Sequence, residues 1–206
     1  MIANPAIALT DYVIVLEAAF FALRLVWLGR VGQLWAAAFV STGLAAAFGG
    51  TVHGFVDTLS LRMQVLLWQG VVASLGIAGC LMIIATAWET LKGPMRYWLM
   101  AIAVCKASIS LSFAIAHLSF AWSVVDYLVS MIIVLMLRQR ATMVSWASTM
   151  IWTVLGVGLS AAAILALLFS KSETNWLQPE VQYHVIQMVA LYSFFRAACV
   201  SQHSRY

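Results

Sequence analysis

Charge is what this chain has least of. Seven acidic and 11 basic side chains are spread over 206 residues, while 64% of the sequence is hydrophobic. So little polar surface cannot solvate a globule of this size, which excludes a soluble domain. Proline is scarce too, at three positions in all, so the apolar stretches run on without a helix breaker. Of the three cysteines, Cys80, Cys105 and Cys199 all fall inside apolar runs, away from any exterior loop where an oxidising compartment would join them. They read as packing residues. No basic stripe or block of like charge is present, which excludes nucleic acid as a partner.

What the chain does have is apolar length. Spanning a hydrocarbon core takes about 20 mostly apolar residues per helix, and the sequence divides into about seven such runs with short connections. They are expected at Ala6 to Gly29, Leu34 to Phe55, Met63 to Trp88, Met95 to Ala116, Leu118 to Leu137, Val144 to Ser170 and Glu180 to Val200. The fold class is therefore all-α, a polytopic membrane protein forming one seven-transmembrane-helix bundle over residues 1–206. No repeat, linker or low-complexity segment divides it.

Arg30, Lys92, Arg96, Arg138, Arg140 and Arg205 follow the first, third, fifth and seventh runs, whereas Arg62 and Lys171 lie in the opposite connections. Short cytoplasmic loops carry the excess of Lys and Arg, so the N-terminus is expected outside and the C-terminus inside, in a bacterial inner (plasma) membrane. No basic region precedes the first run and Asp11 interrupts its approach, so a cleaved signal peptide is not expected. Gly76 with Gly79, Ala45 to Ala47, and Gly156 with Gly158 are small residues that let helices approach closely. Trp27, Trp35, Trp88, Tyr97, Trp98, Trp146 and Trp176 fall near run ends, as an interfacial aromatic belt would.

Against this background the polar residues stand out. His53, His117 and His184 sit at or near the ends of different runs on one side of the membrane, and Asp11, Asp57 and Glu180 fall at the same level. An ionised side chain in hydrocarbon costs about 2.5 to 3.5 kcal/mol or more, so such residues persist where they pair, bind or react. His53 and Asp57 are four apart and share a face if the second helix continues that far, with the carboxylate orienting the imidazole or joining it on a metal. The flanking Gly49, Gly50 and Gly54 either open the backbone to a ligand or end the helix. In the last run Pro179 suits the first helical position and Glu180 the positive helix end. Glu180, His184 and Gln187 then form one stripe that should face the bundle interior, with Glu180 as acid or base, His184 as ligand and Gln187 as an orienting amide. Deeper charges, Glu17, Arg24, Lys106 and Asp126, read as structural pairs in which Glu17 or Asp126 neutralises Lys106. The seventh run holds no lysine, which excludes a retinal Schiff base.

The helix count, the topology, His53 late in the second run with Thr51 and Asp57 nearby, and His184 in the seventh resemble the CREST superfamily of seven-helix membrane proteins. That superfamily includes alkaline ceramidases, adiponectin-receptor-like proteins and Per1-like proteins. The resemblance implies a zinc-dependent hydrolase of lipid-like amides or esters, with His53 and His184 as metal ligands and Asp57 or Thr51 assisting a zinc-bound water. The chain departs from the pattern at Met188, where the resemblance implies a second histidine, and at Gly49, where it implies a serine. A third ligand then has to come from His117, Glu180 or Asp57. The leading expectation is a metal-dependent intramembrane hydrolase acting on lipid-like substrate, with membrane lipids around it. The alternative is a non-catalytic membrane subunit or lipid-binding receptor, with partner subunits in a larger membrane complex.

Overall fold

In the computed structural model, residues 3–117, 120–140, 146–169 and 178–203 are described. Among them the chain is all helix, without a strand: α1 Pro5–Leu25, α2 Gly29–Phe55, α3 Leu61–Thr90, α4 Pro94–His117, α5 Phe120–Gln139, α6 Trp146–Phe169 and α7 Pro179–His203. All seven are long and apolar enough to cross a membrane. The main change from the expected bounds is at α2, which begins at Gly29 rather than Leu34. Gly29 and Gly93 take positive φ, 72° and 62°, and let the chain reverse between α1 and α2 and between α3 and α4. The expected exterior loop from Lys171 lies outside the described residues up to Gln178, as do Trp176 and the side chain of Trp146.

Helices α1, α2, α3, α5, α6 and α7 form a ring in which each touches the next and α7 returns to α1, while α4 stands outside against α3 and α5. The ring is filled by a hydrophobic core that includes Phe21, Trp35, Phe39, Met82, Met131 and Phe194. Phe21 stacks on Phe195 at 4.4 Å and meets Phe39 edge-on at 5.3 Å, both favoured aromatic geometries. Of Gly76, Gly79, Gly156 and Gly158, expected to let helices approach, Gly79 and Gly156 do so. A Cβ on Gly79 would lie 2.6 Å from the Ser130 hydroxyl and one on Gly156 3.0 Å from the Phe194 ring, whereas nothing lies within 4 Å at Gly76 or Gly158. Of the aromatic residues expected near helix ends, Trp27, Tyr97 and Trp98 are exposed, whereas Trp35 is only 1% exposed. It packs in the core, with the Arg138 guanidinium over its ring at 5.3 Å.

Two ion pairs join helices, one between α4 and α5 and one between α5 and α3. Lys106 Nζ pairs with Asp126 Oδ1 at 2.6 Å and donates to Ser130 Oγ at 3.0 Å, so of the two expected counter-ions Asp126 is the one used. Arg138 donates to Thr153 Oγ1 at 2.7 Å and pairs with Glu89 Oε2 at 3.2 Å, joining α5 to α6 and α3.

Candidate functional site

The site starts from a backbone arrangement. The amides of Ala3 and Asn4 donate to the carbonyls of Gly54 and His53 at 3.0 and 3.1 Å. Carbonyls in the last turn of a helix have no partner within it, so the segment leading into α1 caps α2 and fixes His53 against the start of α1. One turn earlier on α2 the two helices come very close. A Cβ on Gly50 would lie 2.9 Å from Cβ of Asp11, a separation only glycine permits.

That close approach places Thr10 and Asp11 of α1 against His184 of α7. The Thr10 hydroxyl lies 2.8 Å from the Ile7 carbonyl and 2.8 Å from Nδ1 of His184. Which of the hydroxyl and Nδ1 donates to the other follows the imidazole tautomer. Nε2 is 3.4 Å from Asp11 Oδ1. Asp11 is 4% exposed, and its second oxygen, Oδ2, is buried with no hydrogen-bond partner among the described residues.

Asp11, His53 and His184 line one cavity of about 80 Å³ between α1, α2, α3, α5 and α7. Its other polar walls are Thr42, Tyr127, Tyr183 and Gln187; Ile14, Val71 and Leu75 supply apolar ones. Thr42 donates to the Ala38 carbonyl at 3.1 Å, and its side chain is hydrogen-bonded with that of Tyr127. His53 meets the indole of Trp68 edge-on at 5.8 Å. The space holds a few waters or a small polar head group, with apolar walls for the start of a tail.

The sequence-derived candidates separate into those the cavity gathers and those it does not. His53, His184 and Gln187 line it. Glu180, half-buried at the first turn of α7, does not line the cavity. Asp57 is exposed and lies beyond α2, which ends at Phe55, so the shared helical face with His53 does not form. Thr51 donates to the Ala47 carbonyl at 2.7 Å and meets the Tyr12 hydroxyl at 3.3 Å, off the cavity wall. His117 is exposed at the end of α4 with its ring 4.3 Å from that of Phe113. As α4 stands outside the ring, His117 has no route to the cavity. The residues missed from sequence are Thr10, Trp68, Tyr127 and Tyr183, and Asp11 was placed at the right level without a role. Adjacent polar residues early in an apolar helix, Thr10 and Asp11, were the available signal.

These donors do not complete a zinc centre. His184 is engaged through both ring nitrogens, His53 packs on Trp68, and no group of three His, Cys, Asp or Glu among the described residues could hold a metal ion. Four protein ligands, or three and a water, are the rule for zinc.

A family model described as a family of unknown function, DUF6962, matches residues 6–202. No curated protein and no solved structure matches.

Proposed function

The chain belongs to the DUF6962 family, whose function is unknown, and from the geometry alone we propose that it is an intramembrane binding protein for a lipid-like molecule. The polar head of that molecule sits against Asp11, His53 and His184, and its tail leaves along Ile14, Val71 and Leu75. The observation that carries this reading is Asp11, which lines a mixed polar and apolar cavity and holds a buried oxygen, Oδ2, with no hydrogen-bond partner among the described residues. A buried carboxylate oxygen without a donor is costly, and a ligand hydroxyl, amide or amine N–H supplies that donor. In this reading the protein is multi-pass in a bacterial inner membrane with its N-terminus outside and its C-terminus inside, as the Lys and Arg distribution argues.

Hydrolysis of the bound lipid amide or ester is the second reading. It is favoured by His184, whose imidazole is oriented by Thr10 and by the Asp11 carboxylate on the cavity wall. The zinc-dependent form needs a third donor that the described residues do not bring together.

One purification tests both readings. Full-length protein extracted without chelator is analysed for bound lipid by mass spectrometry and for zinc by elemental analysis, beside Asp11→Asn, His53→Ala and His184→Ala. A defined lipid species retained by the native chain and lost from folded Asp11→Asn supports the binding reading; the same lipid profile in all four proteins rejects it. Stoichiometric zinc that vanishes from both histidine variants would move the assignment to the metal-dependent hydrolase.

A further inference from the structure

At the opposite end of the bundle from the cavity, Arg30 in the first turn of α2 and Arg96 in the first turn of α4 lie over one indole, that of Trp88 near the end of α3. Their guanidinium carbons are 4.5 and 4.6 Å from its centroid. The two cations are therefore within about 9 Å of each other, although α2 and α4 do not touch and each packs on α3. Arg96 also donates to the Leu91 carbonyl at 2.6 and 2.9 Å, which fixes its plane. Neither arginine forms an ion pair among the described residues.

Local electrostatics make this pairing unfavourable by itself. Both cations sit at the positive end of a helix dipole, and neither helix has an acidic residue in its first turn. Arg24, Lys92, Arg140 and Arg196 add to the same end, where the sequence supplies one carboxylate, Glu89. Arg138 takes that carboxylate at 3.2 Å. An excess of basic residues at one end anchors a bundle at a membrane surface. It does not require two of them, from helices that do not touch, to converge on a single ring.

We propose that Arg30 and Arg96, spaced by Trp88, bind the phosphate of an anionic membrane phospholipid. A phosphate accepting from a guanidinium places phosphorus about 4 Å from the guanidinium carbon, so two arginines up to roughly 8 Å apart bridge one phosphate. The contacts to Trp88 bound the spacing at about 9 Å, so one phosphate reaches both guanidiniums where they approach to about 8 Å. The surroundings fit a lipid better than a free ion. Trp27, Tyr97 and Trp98 are exposed at this level, where amphipathic rings meet head groups, and Met95 and Ile102 on α4 offer an exposed apolar flank to an acyl chain.

The test uses the full chain in neutral detergent, titrated with phosphatidylglycerol, phosphatidylcholine or inorganic phosphate, with lipid adducts read by native mass spectrometry and stability by thermal melting. Phosphatidylglycerol is expected to bind and to raise the melting temperature more than phosphatidylcholine. Each arginine near such a surface contributes about fivefold in affinity, so Arg30→Gln/Arg96→Gln should lose that preference and Arg140→Gln should keep it. The single variants, each losing about fivefold, serve if the double variant does not fold. Trp88→Phe, which keeps both charges and loses the larger ring, is expected to fall between. Equal binding of both lipids, or an undiminished preference in the arginine variants, overturns the proposal. Inorganic phosphate stabilising the chain as well as phosphatidylglycerol does would make the site one for a free anion and overturn the lipid assignment.

Discussion

Nε2 of His184 stands 3.4 Å from Oδ1 of Asp11, while Nδ1 of the same ring lies 2.8 Å from the hydroxyl of Thr10. Consecutive residues of α1 thus hold both nitrogens of one imidazole on α7. The ring cannot turn without leaving Thr10. A histidine fixed in this way needs no further ordering when a ligand arrives.

Thr10→Val keeps the shape of the side chain and removes its oxygen, so Nδ1 of His184 loses its hydrogen-bond partner. The expected result is a folded protein less stable by about 1 kcal/mol, with less bound lipid per chain. Thr10→Ser restores the hydroxyl and should restore the lipid. Quantifying lipid after extraction from both variants decides the point; full lipid occupancy in Thr10→Val would show that the orientation of His184 does not matter.

Neighbouring glycines should behave in opposite ways. A Cβ at Gly50 meets Asp11 Cβ at 2.9 Å, whereas one at Gly49 rests 3.6 Å from both Asp11 oxygens, an ordinary contact. Gly50→Ala therefore forces α1 from α2 and is expected to destabilise by about 1 to 3 kcal/mol. Gly49→Ala is expected to fold normally and to place a methyl in the cavity beside the carboxylate, weakening ligand retention. Thermal melting and bound-lipid analysis of the pair separate packing from binding, and equal behaviour in both assays would contradict this division.

The sequence carried the architecture because seven spans need only apolar length, and that is a property of each segment alone. The site was only partly legible for the opposite reason. His53, His184 and Gln187 announced themselves as polar groups in apolar runs. The role of Asp11 depends on the contact of α1 with α7, which no periodicity within α1 encodes. Asp57 looked like a partner for His53 at a spacing of four, but the spacing counts only inside a helix, and α2 stops at Phe55. His117 was drawn in by its level along the bundle, whereas the placement of α4 outside the ring is a matter of lateral packing.

Lys106 and Asp126 should not respond equally to removal. Lys106 keeps 19% of its side-chain surface exposed and Asp126 only 7%, so an unpaired lysine can extend its ammonium toward polar surroundings while an unpaired aspartate stays enclosed. Lys106→Met is therefore expected to destabilise more than Asp126→Asn. The double variant should be more stable than the sum of the two predicts, with a coupling of about 0.5 to 3 kcal/mol. Unfolding in mixed detergent measures all three, and a coupling of zero would mean that the ion pair holds no helices in register.

Arg138 makes a different demand, because its guanidinium serves three neighbours at once. Nη1 reaches Thr153, Nη2 reaches Glu89, and the plane lies over Trp35. A lysine carries a compact ammonium that matches neither the fork nor the stacking surface. Thus Arg138→Lys should lose much of the stability that Arg138→Met loses, despite keeping the charge. Removing one partner of a buried pair costs about 3 to 5 kcal/mol, and replacing both with apolar residues is often neutral. Arg138→Met/Glu89→Leu is accordingly expected to melt above Arg138→Met alone. Melting curves for the three variants make the comparison, and a lysine variant as stable as the native chain would show that charge alone holds α3, α5 and α6 together here.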